Sequence, residues 1–199
     1  MKSRAVMFWG MALVGLLIVG AGSVWANQNK AFHGSVLNAP VPAPDFTLTD
    51  QHEASYRLSE QTGRAVLLFF GYTRCADVCP GVLARLKRVQ SALGPQAEHL
   101  QVVLVTVDPQ HDTPAVLRDY LAQFDPAFIG LTGAPEKVVD VFLNYGVYQQ
   151  ASANSSVYAI DHTDRVYAID PQGRLRFTYT SDTAVEAITE DVVRLLRGN

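Results

Sequence analysis

The sequence predicts an α/β domain on a mixed β-sheet, carried behind a separate apolar N-terminal segment. Three observations predict it. Ala65-Val66-Leu67-Leu68-Phe69-Phe70 is apolar without a break, as a strand buried on both faces is. Apolar residues at helical spacing follow (Val82, Leu83, Leu86, Val89, Leu93), and then a second β-rich run from Leu100 to Val107. Strand, helix and strand in that order make a parallel crossover. Later in the chain, two more strands joined by a polar turn and a closing amphipathic helix make the sheet mixed.

The N-terminal segment comes first. Met1-Lys2-Ser3-Arg4 is basic, and the 21 residues from Ala5 to Trp25 carry no charge. A helix of that length spans the ~30 Å hydrocarbon layer of a bilayer. Val24-Trp25-Ala26 also fits a signal-peptide cleavage site, but signal cores run to ~7–15 residues, which favours an uncleaved anchor over residues 1–26. Lys2 and Arg4 stay inside, which sends residues 27–199 out of the cytoplasm. Four residues before the apolar run leave no room for an organelle transit peptide, so a bacterial envelope protein is expected. This segment also holds all three Met and both Trp, so any soft-metal site beyond it must use Cys and His.

The remaining elements follow in order. Residues 27–44, with Pro40, Pro42 and Pro44, read as an extended tether. Asp45 to Thr49 alternates as an edge strand does. The first helix starts at Pro80 and stops at Gly94-Pro95. Thr113 caps a second helix that has Pro114 at its first position and runs to about Phe124. Phe128 to Leu131 is a short strand, and Pro135 to Tyr145 a helix ended by Gly146. Val157–Ile160 and Arg165–Ile169 are strands with a turn between them. Pro171-Gln172-Gly173 then turns the chain into Leu175–Tyr179, and Thr183 to Leu196 closes as a helix. Residues 45–199 thus form one domain.

Composition excludes several classes. With 48 % hydrophobic and 18 % charged residues among 199, the chain can bury a core and is not globally disordered. The net charge is −3, and beyond residue 26 it is −5, from 14 basic against 19 acidic side chains, with no basic stripe for nucleic acid. Two cysteines cannot build a disulfide framework or a four-cysteine zinc site.

The chemistry sits in Cys75-Ala76-Asp77-Val78-Cys79-Pro80. Pro80 disfavours helix at Cys79, so both cysteines are expected on a loop before the helix. Unpaired amides and the helix dipole there favour a thiolate, and Arg74 adds a cation. A lowered thiol pKa serves exchange and metal ligation alike. Thioredoxin-type redox enzymes use C-x-x-C; the third intervening residue leaves room for an ion between the sulfurs. Two thiolates suit a soft ion such as Cu(I), whereas Cu(II) or Zn(II) asks for more ligands. The plain alternative is a structural disulfide in an oxidising compartment. A third ligand would come from His33, His52, His99, His111 or His162. His162 leads, in the turn Asp161-His162-Thr163-Asp164, with Asp161 as an orienting partner. His111 reads as a solvated loop residue.

These segments resemble the motifs of the Sco/SenC copper proteins: Phe70-Gly71-Tyr72-Thr73-Arg74-Cys75-Ala76-Asp77-Val78-Cys79-Pro80, Val107 to Pro114, Phe128 to Gly133, and Asp161-His162-Thr163 followed by Tyr167 to Gly173. They occur in family order across residues 45–173. The resemblance implies a thioredoxin-like fold with one N-terminal transmembrane helix, anchored in the bacterial inner membrane and facing the periplasm. It implies copper, as Cu(I) or Cu(II), held by Cys75, Cys79 and His162, and a Cys75–Cys79 disulfide in the oxidised form. Asp77 and Asp161 would stand behind the ligands. The implied partner is the copper-carrying subunit of cytochrome c oxidase, together with other periplasmic copper chaperones or thiol reductases. A metallochaperone that assists assembly of the binuclear copper centre is the leading expectation. The alternative is a thiol–disulfide oxidoreductase in which Cys75, on the loop and more exposed, attacks a substrate disulfide and Cys79 resolves it. Arg74, Ala76 and His111 depart from the family pattern, which often has His or Lys, Pro, and Arg there.

Overall fold

The computed structural model describes residues 31–151 and 160–198. In chain order the strands are β1 (Ser35–Pro42), β2 (Thr47–Asp50), β3 (Ser55–Arg57), β4 (Ala65–Gly71), β5 (Leu100–Thr106), β6 (Ile129–Thr132), β7 (Gln149–Ala151), β8 (Ile160–His162), β9 (Val166–Ile169) and β10 (Arg174–Tyr179). The α-helices are α1 (Val78–Ala92), α2 (Pro114–Leu121), α3 (Pro135–Tyr145) and α4 (Val185–Leu196).

All of β4 and all of β5 are buried, and they pair in parallel with Phe69 opposite Leu104. β6 continues the parallel set beside β5, and β2 and β9 close on either side as antiparallel neighbours. The order β1-β10-β9-β4-β5-β6-β2-β3 is the expected mixed sheet. Right-handed crossovers that step the same way put α1 and α2 on one face, where α4 packs against α1. On the other face, α3 seats Phe142 edge-on against Phe70 at 5.8 Å, and Tyr167 meets the same ring at 5.6 Å. The Tyr167 hydroxyl donates to the carbonyl of Tyr145 at 3.0 Å, which fixes the end of α3.

Helix signals in the sequence translate well. The Thr113 hydroxyl accepts from the Val116 amide, and Pro114 is the first residue of α2. Gly146 takes φ 64° and closes α3, a conformation that a side chain would strain.

The strands differ in three places. Residues 35–42, read as tether, are extended, but they hydrogen-bond to β10 as the sheet edge. β2 is not an edge strand, because Ser55–Arg57 folds back onto it as β3. Ile160–His162 does not form a hairpin with Val166–Ile169. Both sides of β9 are already taken by β4 and β10, so β8 pairs with β7 instead, in a separate two-stranded sheet. Of the strand expected over 157–160, residues 157–159 lie outside the described residues, as do residues 1–26. No helix among the described residues is long and apolar enough to cross a membrane.

Candidate metal centre

The site lies at the C-terminal edge of β4, where sites collect in sheets of this kind. Helix α1 begins at Val78, two residues earlier than expected, with Asp77 as its N-cap. Pro80 is tolerated because a first-turn amide has no intrahelical partner to lose. Cys75 therefore stays on the loop, while Cys79 falls inside the first turn. The Cys79 side chain is fully buried against the sheet. A Cβ placed on Gly71 would stand 3.0 Å from its Sγ. Cys75 is half-buried, and its Sγ accepts the amide of Cys79 at 3.4 Å. The Cys75 sulfur thus meets both the amide and the thiol of Cys79.

A lowered thiol pKa was expected at this helix start, and for Cys79 the reverse holds. Its contact with the Cys75 thiol, and then burial, hold it above the ordinary thiol range. The charge of Asp112 adds to this, and the backbone of Tyr72 opposes it. The helix amide acts on the Cys75 sulfur, because Cys79 points away from the helix start and into the core.

A second loop clamps the first. The fully buried Asp112 carboxylate accepts the Thr73 amide at 3.0 Å, the Thr73 hydroxyl at 2.6 Å and the Thr106 hydroxyl at 2.6 Å. Asp108, also buried, accepts Arg74 Nη2 at 3.0 Å and lies 2.8 Å from His111 Nδ1. Two of the positions that depart from the family pattern, Arg74 and His111, therefore converge on one carboxylate. His111 is exposed, as expected, but it is engaged there. Asp108, Asp112 and Thr73 were missed as site residues. The signal was the Asp108-Pro109-x-x-Asp112-Thr113-Pro114 motif, which served above as a helix entry and as part of the resemblance, with no role given to its carboxylates.

β8 carries Asp161 and His162, whose backbones are placed and whose side chains lie outside the described part. His162 stands opposite Gln149 in the β7–β8 register, at a strand end and not in a turn. The amide of Ile160, on the same strand, donates to the Tyr72 hydroxyl at 3.1 Å. The carbonyl of Tyr72 accepts the Cys75 amide at 3.3 Å. The structure thus ties the strand of His162 to the loop of Cys75 through one residue. Asp77 is exposed, and its side chain makes no capping bond. His33 pairs with Glu190 at 3.1 Å, and His99 with Glu98 at 3.5 Å. Among the described residues no three His, Cys, Asp or Glu side chains are grouped closely enough to hold a metal ion. The two cysteines bring two soft donor atoms together.

The chain is similar to known proteins in sequence and in fold. The chain is 34 % identical over 195 residues to a mitochondrial SCO2 homolog from Bos taurus, covering 92 % of this chain and 72 % of that one. It is similar to the solution structure of apo Sco1 from Thermus thermophilus, with a TM-score of 0.75 and 38 % identity. That match covers 84 % of this chain and 98 % of the other. The copper-bound structure of ScoI from Bradyrhizobium japonicum matches with a TM-score of 0.71 and 34 % identity, over 78 % of this chain and 99 % of that one. The fold is the mixed, thioredoxin-like α/β fold of these proteins. With the SCO1/SenC family model matching residues 37–197, the chain belongs to the SCO1/SenC family.

Proposed function

We propose that this protein is a copper chaperone that binds copper through the thiolates of Cys75 and Cys79 and the imidazole of His162, and that it assists assembly of the binuclear copper centre of cytochrome c oxidase. The observation that carries the reading is the pair of cysteine sulfurs brought together at the end of β4, in a chain whose relative from Bradyrhizobium japonicum has copper bound. Two sulfurs suit Cu(I), and an added nitrogen donor suits Cu(II). Half-exposure of Cys75 supports delivery, because a partner's thiols reach the site from that side. Residues 1–26 anchor the protein once in a bacterial inner membrane with the domain facing the periplasm, where it meets the copper-carrying oxidase subunit and other periplasmic chaperones or thiol reductases.

A second reading has an observation of its own. One half-exposed and one buried cysteine suit disulfide exchange. The Cys75 thiolate attacks a substrate disulfide and displaces one sulfur; Cys79 then displaces the other, leaving a reduced dithiol and a Cys75–Cys79 disulfide.

The test is to titrate the reduced, purified full chain anaerobically with Cu(II) and record absorption for wild type and His162→Ala. The chaperone reading expects a sulfur-to-copper charge-transfer band that is lost or altered in the variant. Absence of a band, with two Cu(II) reduced to Cu(I) per disulfide formed, gives the lead to the oxidoreductase.

A further inference from the structure

We propose that Tyr72 is a positioning residue for His162: its hydroxyl holds strand β8 at the Cys75–Cys79 loop and so sets how well the imidazole completes the copper site. This rests on the assignment of Cys75, Cys79 and His162 as ligands.

Tyr72 stands where the three ligand-bearing segments meet. It directly follows β4, its carbonyl accepts the Cys75 amide at 3.3 Å, and its ring is buried at 4 % exposure. Its hydroxyl accepts the amide of Ile160, 88 residues away in sequence. Ile160 and His162 lie two residues apart on one strand, on the order of 7 Å along it. The strand itself is short. β7 and β8 have three residues each and form a sheet apart from the eight-stranded one. A two-stranded ribbon is marginal by itself, so its place depends on ties to the body. One tie runs back along the chain, where the Thr163 amide donates to the Tyr148 carbonyl at 3.0 Å and the Tyr148 amide donates to the Thr163 hydroxyl at 3.0 Å. Among the described residues, the bond to Tyr72 is the hydrogen bond that reaches the cysteine side. A ligand held before the ion arrives loses less freedom on binding.

Tyr72→Phe keeps the ring and deletes the acceptor. Removing one such bond corresponds to Cu(II) affinity weaker by about three- to tenfold. Cu(II) affinity and the charge-transfer band are measured on the full chain for wild type, Tyr72→Phe, His162→Ala and the double variant, with the reduction potential of the Cys75/Cys79 pair as a further readout. The expected result is a shifted band and weaker Cu(II) binding for Tyr72→Phe, no further loss when it is added to His162→Ala, and an unchanged dithiol potential. An additional loss of similar size in the His162→Ala background, or an unaltered Tyr72→Phe, overturns the proposal while leaving the copper assignment standing. No effect of His162→Ala on Cu(II) overturns the assignment, and the proposal with it. If Tyr72→Phe does not fold, Ile160→Pro deletes the same bond from the donor side at the start of the strand and is read the same way.

Discussion

Gly71→Ala is the perturbation whose consequence follows most directly from the packing. An added Cβ would stand 2.7 Å from Phe69 Cε1, 3.0 Å from Cys79 Sγ and 3.2 Å from Leu104 Cδ1. The backbone there does not need glycine, since Gly71 is absent from the positive-φ positions, so the effect is steric. Phe69, Cys79 and Leu104 are all buried at 1 % exposure or less, which leaves no empty space to yield into. Overpacking of this kind costs about 1–3 kcal/mol, or a Tm lower by roughly 3–9 °C at ~3 °C per kcal/mol for a chain of this size. Because one of the three clashes is with the thiol, the copper charge-transfer band should change as well. Gly130→Ala is the control. Its Cβ would meet Leu121 Cδ1 at 2.7 Å and Leu117 Cβ at 3.1 Å, an equally tight fit between β6 and α2 that touches neither cysteine. Thermal unfolding and Cu(II) absorption of the two variants decide the matter. Both should lose stability, and Gly71→Ala alone should alter the band. A spectrum changed equally by both, or by neither, would refute the idea that Gly71 is small to seat Cys79.

Asp112→Asn puts an amide N–H2 where Thr73 and Thr106 already donate, so the loop of Cys75 should loosen at a cost of about 1–3 kcal/mol in urea unfolding; an unchanged midpoint would mean that Asp112 does not clamp the loop. For Asp125, burial alone would raise the carboxyl pKa, but the hydrogen bond from Lys87, the Ala127 amide and the Lys87 charge bring it below the ordinary value. A depressed carboxylate stabilises the fold above its unfolded pKa of ~3.9, and that contribution is lost as pH falls below it through the folded value. Asp125→Asn should therefore cost ~1 kcal/mol at pH 7, and the gap from wild type should shrink below about pH 4. A constant gap in urea titrations across that range would remove the Lys87–Asp125 pair as its cause.

Much of the fold and part of the site were legible in the sequence. The unbroken apolar run of β4 and the helical spacing after it state their own burial, because a strand covered on both faces has no polar position to spare. Thr113-Pro114 and Gly146 mark helix ends through groups that act within one turn. The Cys75–Cys79 pair marked where the candidate site lies. Less visible were the features that depend on partners far along the chain. Asp108 and Asp112 look like turn residues until the end of β5 is laid beside the end of β4, and only then do Arg74 and Thr73 come within reach. Cys75 was legible as the more exposed thiol from its place on the loop; that Cys79 packs over Gly71 follows from α1 starting early.

The sequence by itself determined the fold class, the helix boundaries to within a few residues and the place of the cysteine pair at the end of β4, because these follow from local periodicity, capping and residue chemistry. The tertiary structure alone decided which loop clamps the loop of Cys75, and that the strand of His162 pairs with β7 and bonds to Tyr72. Hydrogen-bond partners in a sheet are allotted by competition among strands. Once β4 and β10 had taken both sides of β9, the strand next to it in sequence had to find its neighbour elsewhere.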